Sequence, residues 1–447
     1  MIYRWRVIFS ARDVHRSRED SEADWRMIAA AATCSMFEFF DFVVYAFFAV
    51  PIARAFFPAH EPELGLLLAV AVFWVGFIAR PVGSIVIGRY ADRTGRRPAL
   101  LLSAALMAAA TAGLALTPGY TVIGIAAPLF LTLWRLLQGF ALGGEIGPST
   151  AFLLEIAPVE KRASLVALQF ASQGAAAVLA GLIGLTLSGM IEPSAMSAWG
   201  WRVPFAIGAL LVPVACYLRW HMPETLRAPV QMYELPASHQ LPSRSMAVLL
   251  GVTIIAGGSV ATYVGNYMAT YATTVLRLPA AIGLAATVAA GLATIAGALV
   301  GGSLADRYGR WPVIFWPRLA TALLSVPAFL LVQANPSSAM LLLVSAILAF
   351  LTAVNGGGAL TGICELFPTA QRATSLAVVY SIGVTLFGGS TQFVVTWVVR
   401  ATGDAITPAW YVTGISVLAL FATFFLPETR TRLAHANKVQ QHITRLE

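Results

Sequence analysis

Charged side chains are scarce in this 447-residue chain: Asp, Glu, Lys and Arg together make up 11% of it, where a soluble domain carries roughly a quarter. Hydrophobic residues make up 58%, and mean hydropathy is +0.76. The chain is therefore of the membrane-embedded class. Cysteine is almost lacking. Cys34, Cys216 and Cys364 each lie in an apolar run without metal-ligand spacing, which excludes a disulfide framework and a zinc site. The six histidines (His15, His60, His221, His239, His435, His442) fall in tails, loops or helix ends and build no metal cluster. No Gly-x-x-x-x-Gly-Lys loop is present to cradle phosphates, so a transport ATPase is excluded. No nucleophile–base set points to an enzyme, and neither metal nor cofactor is expected. The first 26 residues hold six arginines but no apolar core ending in small residues, and they read as a cytoplasmic tail, not a signal peptide.

What is abundant is long apolar runs. A membrane-crossing helix needs about 20 apolar residues. Twelve such runs are found, at 27–52, 64–88, 98–117, 121–153, 162–190, 202–222, 246–276, 279–303, 313–333, 338–366, 372–400 and 408–427. The expected fold is an all-α integral membrane protein of twelve transmembrane helices in two pseudo-symmetric six-helix bundles. A net charge of +8 could suggest nucleic acid in a soluble protein. Here the positive charge orients the chain in a lipid bilayer, and no nucleic-acid partner is expected. Of the 29 Lys and Arg, Arg54, Arg202, Arg277 and Arg400 fall on one side and Arg80, Arg135 and Arg318 inside runs; the other 22 lie on the side of the tails. The positive-inside rule then makes both termini cytoplasmic. The expected organisation is a tail over 1–26, a first bundle over 27–222, a polar linker over 223–245, a second bundle over 246–427 and a tail over 428–447.

One charged phrase is written twice. GRYADRTGRRP (Gly88–Pro98) returns as GSLADRYGRWP (Gly302–Pro312), with Asp92 and Asp306 separated by 214 positions. Glu155-x-x-Pro158-x-x-x-Arg162-Ala163 returns as Glu365-x-x-Pro368-x-x-x-Arg372-Ala373, and Pro223-Glu224-Thr225 as Pro427-Glu428-Thr429. Three ordered pairs make two related halves. Gly88, Gly95, Gly302 and Gly309 suit tight turns or close approach in short loops. Asp92 and Asp306 can bond arginines or a helix N-terminus and let go again, which suits a latch. With Arg93, Arg96, Glu155, Arg162, Arg307, Arg310, Glu365 and Arg372 they form the expected cytoplasmic gate.

These residues resemble the major facilitator superfamily over essentially the whole chain. The repeated phrase is similar to its signature between helices 2 and 3 and between 8 and 9, and RLLQG (Arg135–Gly139) to its Arg-x-x-Gln-Gly element on helix 4. FEFFDF with Tyr45, ARPVG (Ala79–Gly83) and RLLQGFALGGEIG resemble the metabolite:proton symporter branch and, within it, citrate–proton symporters. Helix 5 (GAAAVLAGLIGLTLSG) lacks the Gly-Pro element of the antiporter groups, which weighs against drug–proton exchange. The resemblance implies a central cavity walled by helices 1, 4, 7 and 10, with substrate near the midplane.

Ionisable groups in a bilayer cost about 2.5–3.5 kcal/mol each on insertion scales. Glu38, Asp41 and Tyr45 share one face of helix 1; Arg80 is on helix 2; Arg135, Gln138 and Glu145 are on helix 4. An arginine offers a carboxylate a permanent planar fork. A carboxylate removed from water can take up and release a proton. Asp41, Glu38 and Glu145 are thus the proton-coupling candidates, with Asp41 preferred over Glu38. Arg80, Arg135, Gln138 and Tyr45 are candidate substrate groups. A permanent structural pair between Glu38 or Asp41 and either arginine is the bland alternative. Arg318, about five residues into helix 9, is expected to snorkel to the cytoplasm. The second half offers neutral groups: Tyr263, Asn266, Tyr267 and Thr270 on helix 7, and Asn355, the counterpart of Glu145, on helix 10. These suit either substrate or interhelical bonding.

The resulting expectation is a symporter of the bacterial inner membrane, working as a monomer by alternating access. It carries a small carboxylate inward with protons, a citrate-like tricarboxylate first and a dicarboxylate second. The rival cargo is a zwitterion such as proline or betaine, whose osmosensing carriers have a long helical tail; fewer than three heptads follow Glu428 here. A sugar porter fits the buried charges less well. A sensor that has lost transport is the rival from another class.

Overall fold

The structure is a computed structural model describing residues 28–29, 32–37, 39–57, 62–220, 242–368 and 371–429. Among them the chain is helical throughout. The first run gives α1 (Ala32–Phe47), which a 70° bend joins to a second helical piece, Ala49–Phe56. Then follow α2 (Pro62–Thr94), α3 (Arg96–Leu116), α4 (Ala126–Ile156), α5 (Arg162–Met190) and α6 (Arg202–Trp220). After the expected linker, of which residues 223–241 lie outside the described residues, come α7 (Arg244–Thr274), α8 (Ala280–Tyr308), α9 (Arg310–Ala334) and α10 (Ser338–Glu365). The chain continues as α11, which runs from Arg372–Gly383 through a π-helical turn at Val384–Gly389 into Ser390–Thr402, and ends with α12 (Thr407–Phe424). Ten of these helices are long and apolar enough to cross a membrane, and the bent pair would make an eleventh. The expected N- and C-terminal tails lie outside the described residues apart from Glu428 and Thr429.

The helices obey the rule that a backbone in lipid must satisfy its own polar groups. Ser and Thr hydroxyls inside them turn back to a carbonyl one turn earlier, as Thr150 does to Ile146 (2.7 Å) and Thr321 to Pro317 (2.9 Å). Outward faces stay apolar: Val82, Leu129, Leu323 and Phe421 are exposed where a soluble protein would carry charge.

The repeated phrase is more helical than its glycines suggest. We expected short loops; instead α2 runs to Thr94 and α3 begins at Arg96, leaving Gly95 alone at the junction. Gly309 alone joins α8 to α9. Their φ values of 123° and 104° explain this, because a residue without Cβ can reverse the chain in one step. The two Asp therefore sit on last helical turns, not in loops.

The halves meet along two long helix pairs. On α5 and α8, a Cβ at Gly174 would lie 2.6 Å from the Gly291 oxygen, and one at Gly291 would lie 2.8 Å from the Gly174 oxygen. Bare backbones thus pack directly against each other. On α2 and α11, Thr385 Oγ1 donates to the Phe77 carbonyl (2.9 Å), and Gly88 packs on Thr374.

Candidate functional site

At the junctions of α2 with α3 and α8 with α9, the two copies of the phrase make one geometry twice. Arg96 donates from Nη1 to Asp92 Oδ1 (2.5 Å), and forks onto Glu155 from Nη2 (2.9 Å) and Nε (3.4 Å). Arg310 makes the same contacts with Asp306 (3.4 Å) and Glu365 (3.1 and 3.3 Å). Each aspartate also accepts from the opposite half. Asp92 Oδ2 accepts from the Thr374 amide (3.0 Å) and hydroxyl (2.5 Å) at the start of α11. Asp306 accepts from the Ala163 (2.9 Å) and Ser164 (2.8 Å) amides at the start of α5. First-turn amides have no partner within their own helix and carry the positive end of its dipole, so each aspartate supplies what the other half lacks.

Gly88 and Gly302 make this approach possible, since a Cβ there would sit 3.0 Å from Thr374 Cα or 2.8 Å from Ser164 Cα. Glu428 accepts from the Arg310 (3.0 Å) and Trp311 (2.8 Å) amides and so caps α9, while the Thr429 hydroxyl bonds Glu365. Arg162 is buried beside Glu365, Arg310 and Arg372, and Arg372 donates to the Phe367 carbonyl (3.3 Å). Arg93 and Arg307, expected in the gate, are exposed, and Arg307 lies over Tyr308 at 5.3 Å. Each follows its aspartate by one residue and so lies about 100° round the helix from it.

Deeper in the first half, a polar chain links α4 to α1 through α3. Arg135 Nη1 donates to Gln138 Oε1 (2.6 Å), Gln138 Nε2 donates to Thr111 Oγ1 (3.1 Å), and the Thr111 hydroxyl bonds Asp41 Oδ2. Asp41 Oδ1 has no hydrogen-bond partner among the described residues and abuts Gly208 of α6, where a Cβ would lie 2.4 Å from it. The Arg135 guanidinium lies 3.5 Å over the Tyr45 ring, and Tyr45 donates to the Ala69 carbonyl (3.0 Å). Arg80 stands between the rings of Phe77 (4.1 Å) and Phe42 (4.7 Å). Nε and Nη2 of both arginines lack hydrogen-bond partners among the described residues. Rings hold these cations by their negative faces while leaving the N–H donors unspent. Glu145 is buried on α4 and accepts from Ser35 (3.1 Å). Glu38 lies outside the described residues.

Between the halves is a cavity of about 130 Å³, with Phe39, Phe42, Gln173, Tyr263, Asn266, Asn355 and Tyr380 in its wall. Its lining comes from α1, α5, α7, α8, α10 and α11 and includes no residue of α4, a departure from the expected walls. Arg135 and Gln138 instead line a separate chamber of about 10 Å³, the room of roughly one water. Phe42 belongs to both linings and partitions them. Arg80, Tyr45 and Glu145 line neither space. Tyr267 departs from expectation too: it packs in an apolar cluster, tilted against Tyr271 at 6.3 Å, while Thr270 is exposed. A shift of about 100° per residue separates Tyr267 from Asn266.

Arg318 does not snorkel. It is 1% exposed, with Nη1 donating to the Gly257 carbonyl (2.8 Å) and Nη2 to Asn355 Oδ1 (2.7 Å). Asn355 in turn donates to the Ile314 carbonyl (2.6 Å). With no side chains at Gly257 and Gly258, α9 comes near enough to α7 for the guanidinium to turn inward. Sequence reading passed over Thr111, Gln173 and Tyr380, each a polar residue in an apolar run, which was the signal available. Phe42 ends the FEFFDF stretch, but as one of 25 phenylalanines it gave no sign of standing between two spaces.

No group of three or more His, Cys, Asp or Glu able to hold a metal occurs among the described residues. The family model of the Major Facilitator Superfamily matches residues 31–387. A citrate-proton symporter of Klebsiella pneumoniae is 33% identical over 425 residues, covering 92% of this chain and 96% of its own. An alpha-ketoglutarate permease of Escherichia coli is 32% identical, covering 89% and 93%, and a proline/betaine transporter of Salmonella typhimurium 30%, covering 91% and 84%. A solved proton:xylose symporter superposes with a TM-score of 0.77 at 18% identity, covering 92% of this chain and 97% of its own. These relatives are transporters, not enzymes, and the all-helical fold is theirs: the chain belongs to the major facilitator superfamily.

Proposed function

We propose that the protein is a proton-coupled symporter of a small carboxylate anion, a citrate-like tricarboxylate first and a dicarboxylate second, in the bacterial inner membrane. In this reading it has twelve spans in two six-helix bundles joined by the 223–245 linker, both termini are cytoplasmic, and the monomer is the working unit. The observation that carries the proposal is the chain from Arg135 through Gln138 and Thr111 to Asp41. In this reading Arg135 is the anion-binding group and Asp41 the proton-accepting group, and their hydrogen-bonded line supports it. Arg135 and Arg80 keep unspent N–H donors that a carboxylate can take. Phe42 must swing aside for substrate in the cavity to reach them. Once an anion draws on Arg135, the chain to Asp41 is perturbed, and Asp41 takes a proton before the site can close without an unpaired charge.

Relatives described as citrate-proton symporters support the cargo class. The two aspartate latches are the gate of this cycle: both are formed here, and releasing the substrate inward requires breaking them. The rival cargo, a betaine-like zwitterion, draws support from the rings of Phe39, Phe42, Phe170, Tyr263 and Tyr380 in the cavity wall, which suit a quaternary ammonium. Uptake of labelled citrate, 2-oxoglutarate and glycine betaine into proteoliposomes with an imposed pH gradient separates the readings. Gradient-driven accumulation of citrate is expected. Accumulation of betaine alone would replace the cargo class, and no transport of any of them would favour a sensor.

A further inference from the structure

Arg318 differs from Arg135, Arg96 and Arg310 among the buried arginines. Asp41 is joined to Arg135 by the hydrogen-bond chain, and Arg96 and Arg310 are paired with carboxylates. Arg318 is buried to the same degree, eight residues into α9, yet its acceptors among the described residues are both neutral: a backbone carbonyl and an amide side chain. Burying a guanidinium against neutral acceptors leaves its full charge to act on whatever lies near. What lies near is the cavity. Asn355, which holds Nη2, is in the cavity wall, and so is Gly258. A Cβ at Gly258 would rest 3.4 Å from Nη2, so the missing side chain leaves the guanidinium covered by backbone alone on that side.

We propose that Arg318 is an anion-binding group of the second half, reached from the cavity past Gly258, with the Asn355 amide oxygen holding its place until a substrate carboxylate arrives. This rests on the carboxylate reading above and deepens it. A polycarboxylate in the cavity then has Arg318 on the second half and, beyond Phe42, Arg135 and Arg80 on the first. Cargo with two or more carboxylates can bridge the halves. When the carboxylate bonds Nη2, Asn355 Oδ1 is released to accept from a substrate hydroxyl or a protonated carboxyl.

The test is citrate affinity of the purified full chain by calorimetry, using Arg318→Gln, Arg318→Lys, Gly258→Val and Gly265→Val. Gly265 also lines the cavity, but a Cβ there meets nothing within 4 Å, so it adds the same bulk away from Arg318. Arg318→Gln is expected to weaken citrate binding about tenfold or more, the scale of a lost hydrogen bond to a charged group. Arg318→Lys should recover part of it through its charge. Gly258→Val should weaken binding far more than Gly265→Val. A folded Arg318→Gln protein with parental citrate affinity would overturn the proposal. Should that variant fail to fold, the glycine pair decides, and equal affinities in the two would overturn it. If the parent binds glycine betaine and no citrate, the polycarboxylate reading falls. The same variants titrated with betaine, which also carries a carboxylate, then judge Arg318 separately.

Discussion

The ends of the two halves that carry the repeated phrase match closely, whereas their centres do not. Arg96, Asp92 and Glu155 are superposable in role with Arg310, Asp306 and Glu365, down to the two nitrogens that fork onto the glutamate. At mid-depth, the first half holds Arg135, Gln138, Thr111 and Asp41 in one chain, and the second holds Arg318 against Asn355 with no carboxylate bonded to it among the described residues. Glu145 of the first half corresponds to Asn355 of the second by chain position. A latch must close from both sides, so both copies remain under the same geometric demand. In the proposed cycle the central site takes one asymmetric cargo and a proton and is under no such demand, so its halves are free to differ: Asp41 in one, Asn355 and Arg318 in the other.

The sharpest way to break this contrast is to remove the acid from the first half. Asp41→Asn should abolish gradient-driven accumulation of citrate in proteoliposomes while exchange across the membrane persists, because the amide cannot cycle a proton. Accumulation at the parental level would move the proton site to Glu38 or Glu145. Next in size, Arg135→Lys should weaken citrate binding about tenfold or more by calorimetry, since an ammonium keeps the charge but loses the planar fork that a carboxylate would use and the stacking on Tyr45. Unchanged affinity would take Arg135 out of the site.

The matched ends yield smaller, paired effects. Asp92→Asn and Asp306→Asn should each slow turnover several-fold and alter citrate affinity less, as each removes one latch and leaves the cavity intact. Very different turnover in the two variants would show that the copies are not equivalent in use. The smallest effect is on stability. Gly309→Ala should destabilise the protein by roughly 1–3 kcal/mol in a detergent unfolding assay, because the added Cβ meets φ of 104° and the Glu428 carboxylate 2.7 Å away. A neutral result would mean that α9 can shift without losing its cap.

Several features were legible because they depend on local pattern. Apolar run length gave helix positions that agree with α5 (Arg162–Met190) to the residue, and misjudged the first run, where the bend after Phe47 leaves no compositional mark. The duplicated phrase pointed to Asp92 and Asp306 as groups that bond arginines and helix ends. It did not say that the helix each one bonds belongs to the other half, nor that Arg93 and Arg307 are exposed. At mid-depth, Asp41 and Arg135 stood out because charge in an apolar run is costly. Thr111, which bonds Asp41 and links it to Gln138, gave only a weak signal, because a threonine in such a run commonly bonds its own helix. The expected path of Arg318 to the cytoplasm failed because a side chain's direction depends on which neighbour offers an acceptor, and here Gly257 and Asn355 do.

The sequence by itself determined that this is a duplicated, all-helical membrane protein of the major facilitator superfamily, with few charges inside its apolar runs. Helix length and lipid burial are local requirements that each segment meets alone, and a repeat is visible by comparing the chain with itself. Only the tertiary structure decided which charges share a space: that Asp41 joins Arg135 through two neutral side chains, that Phe42 divides the cavity from the Arg135 chamber, and that Arg318 turns inward behind Gly258. Those outcomes hang on the rotation of one helix against another and on gaps left by glycines distant in the chain, and such packing relations are written in no single segment.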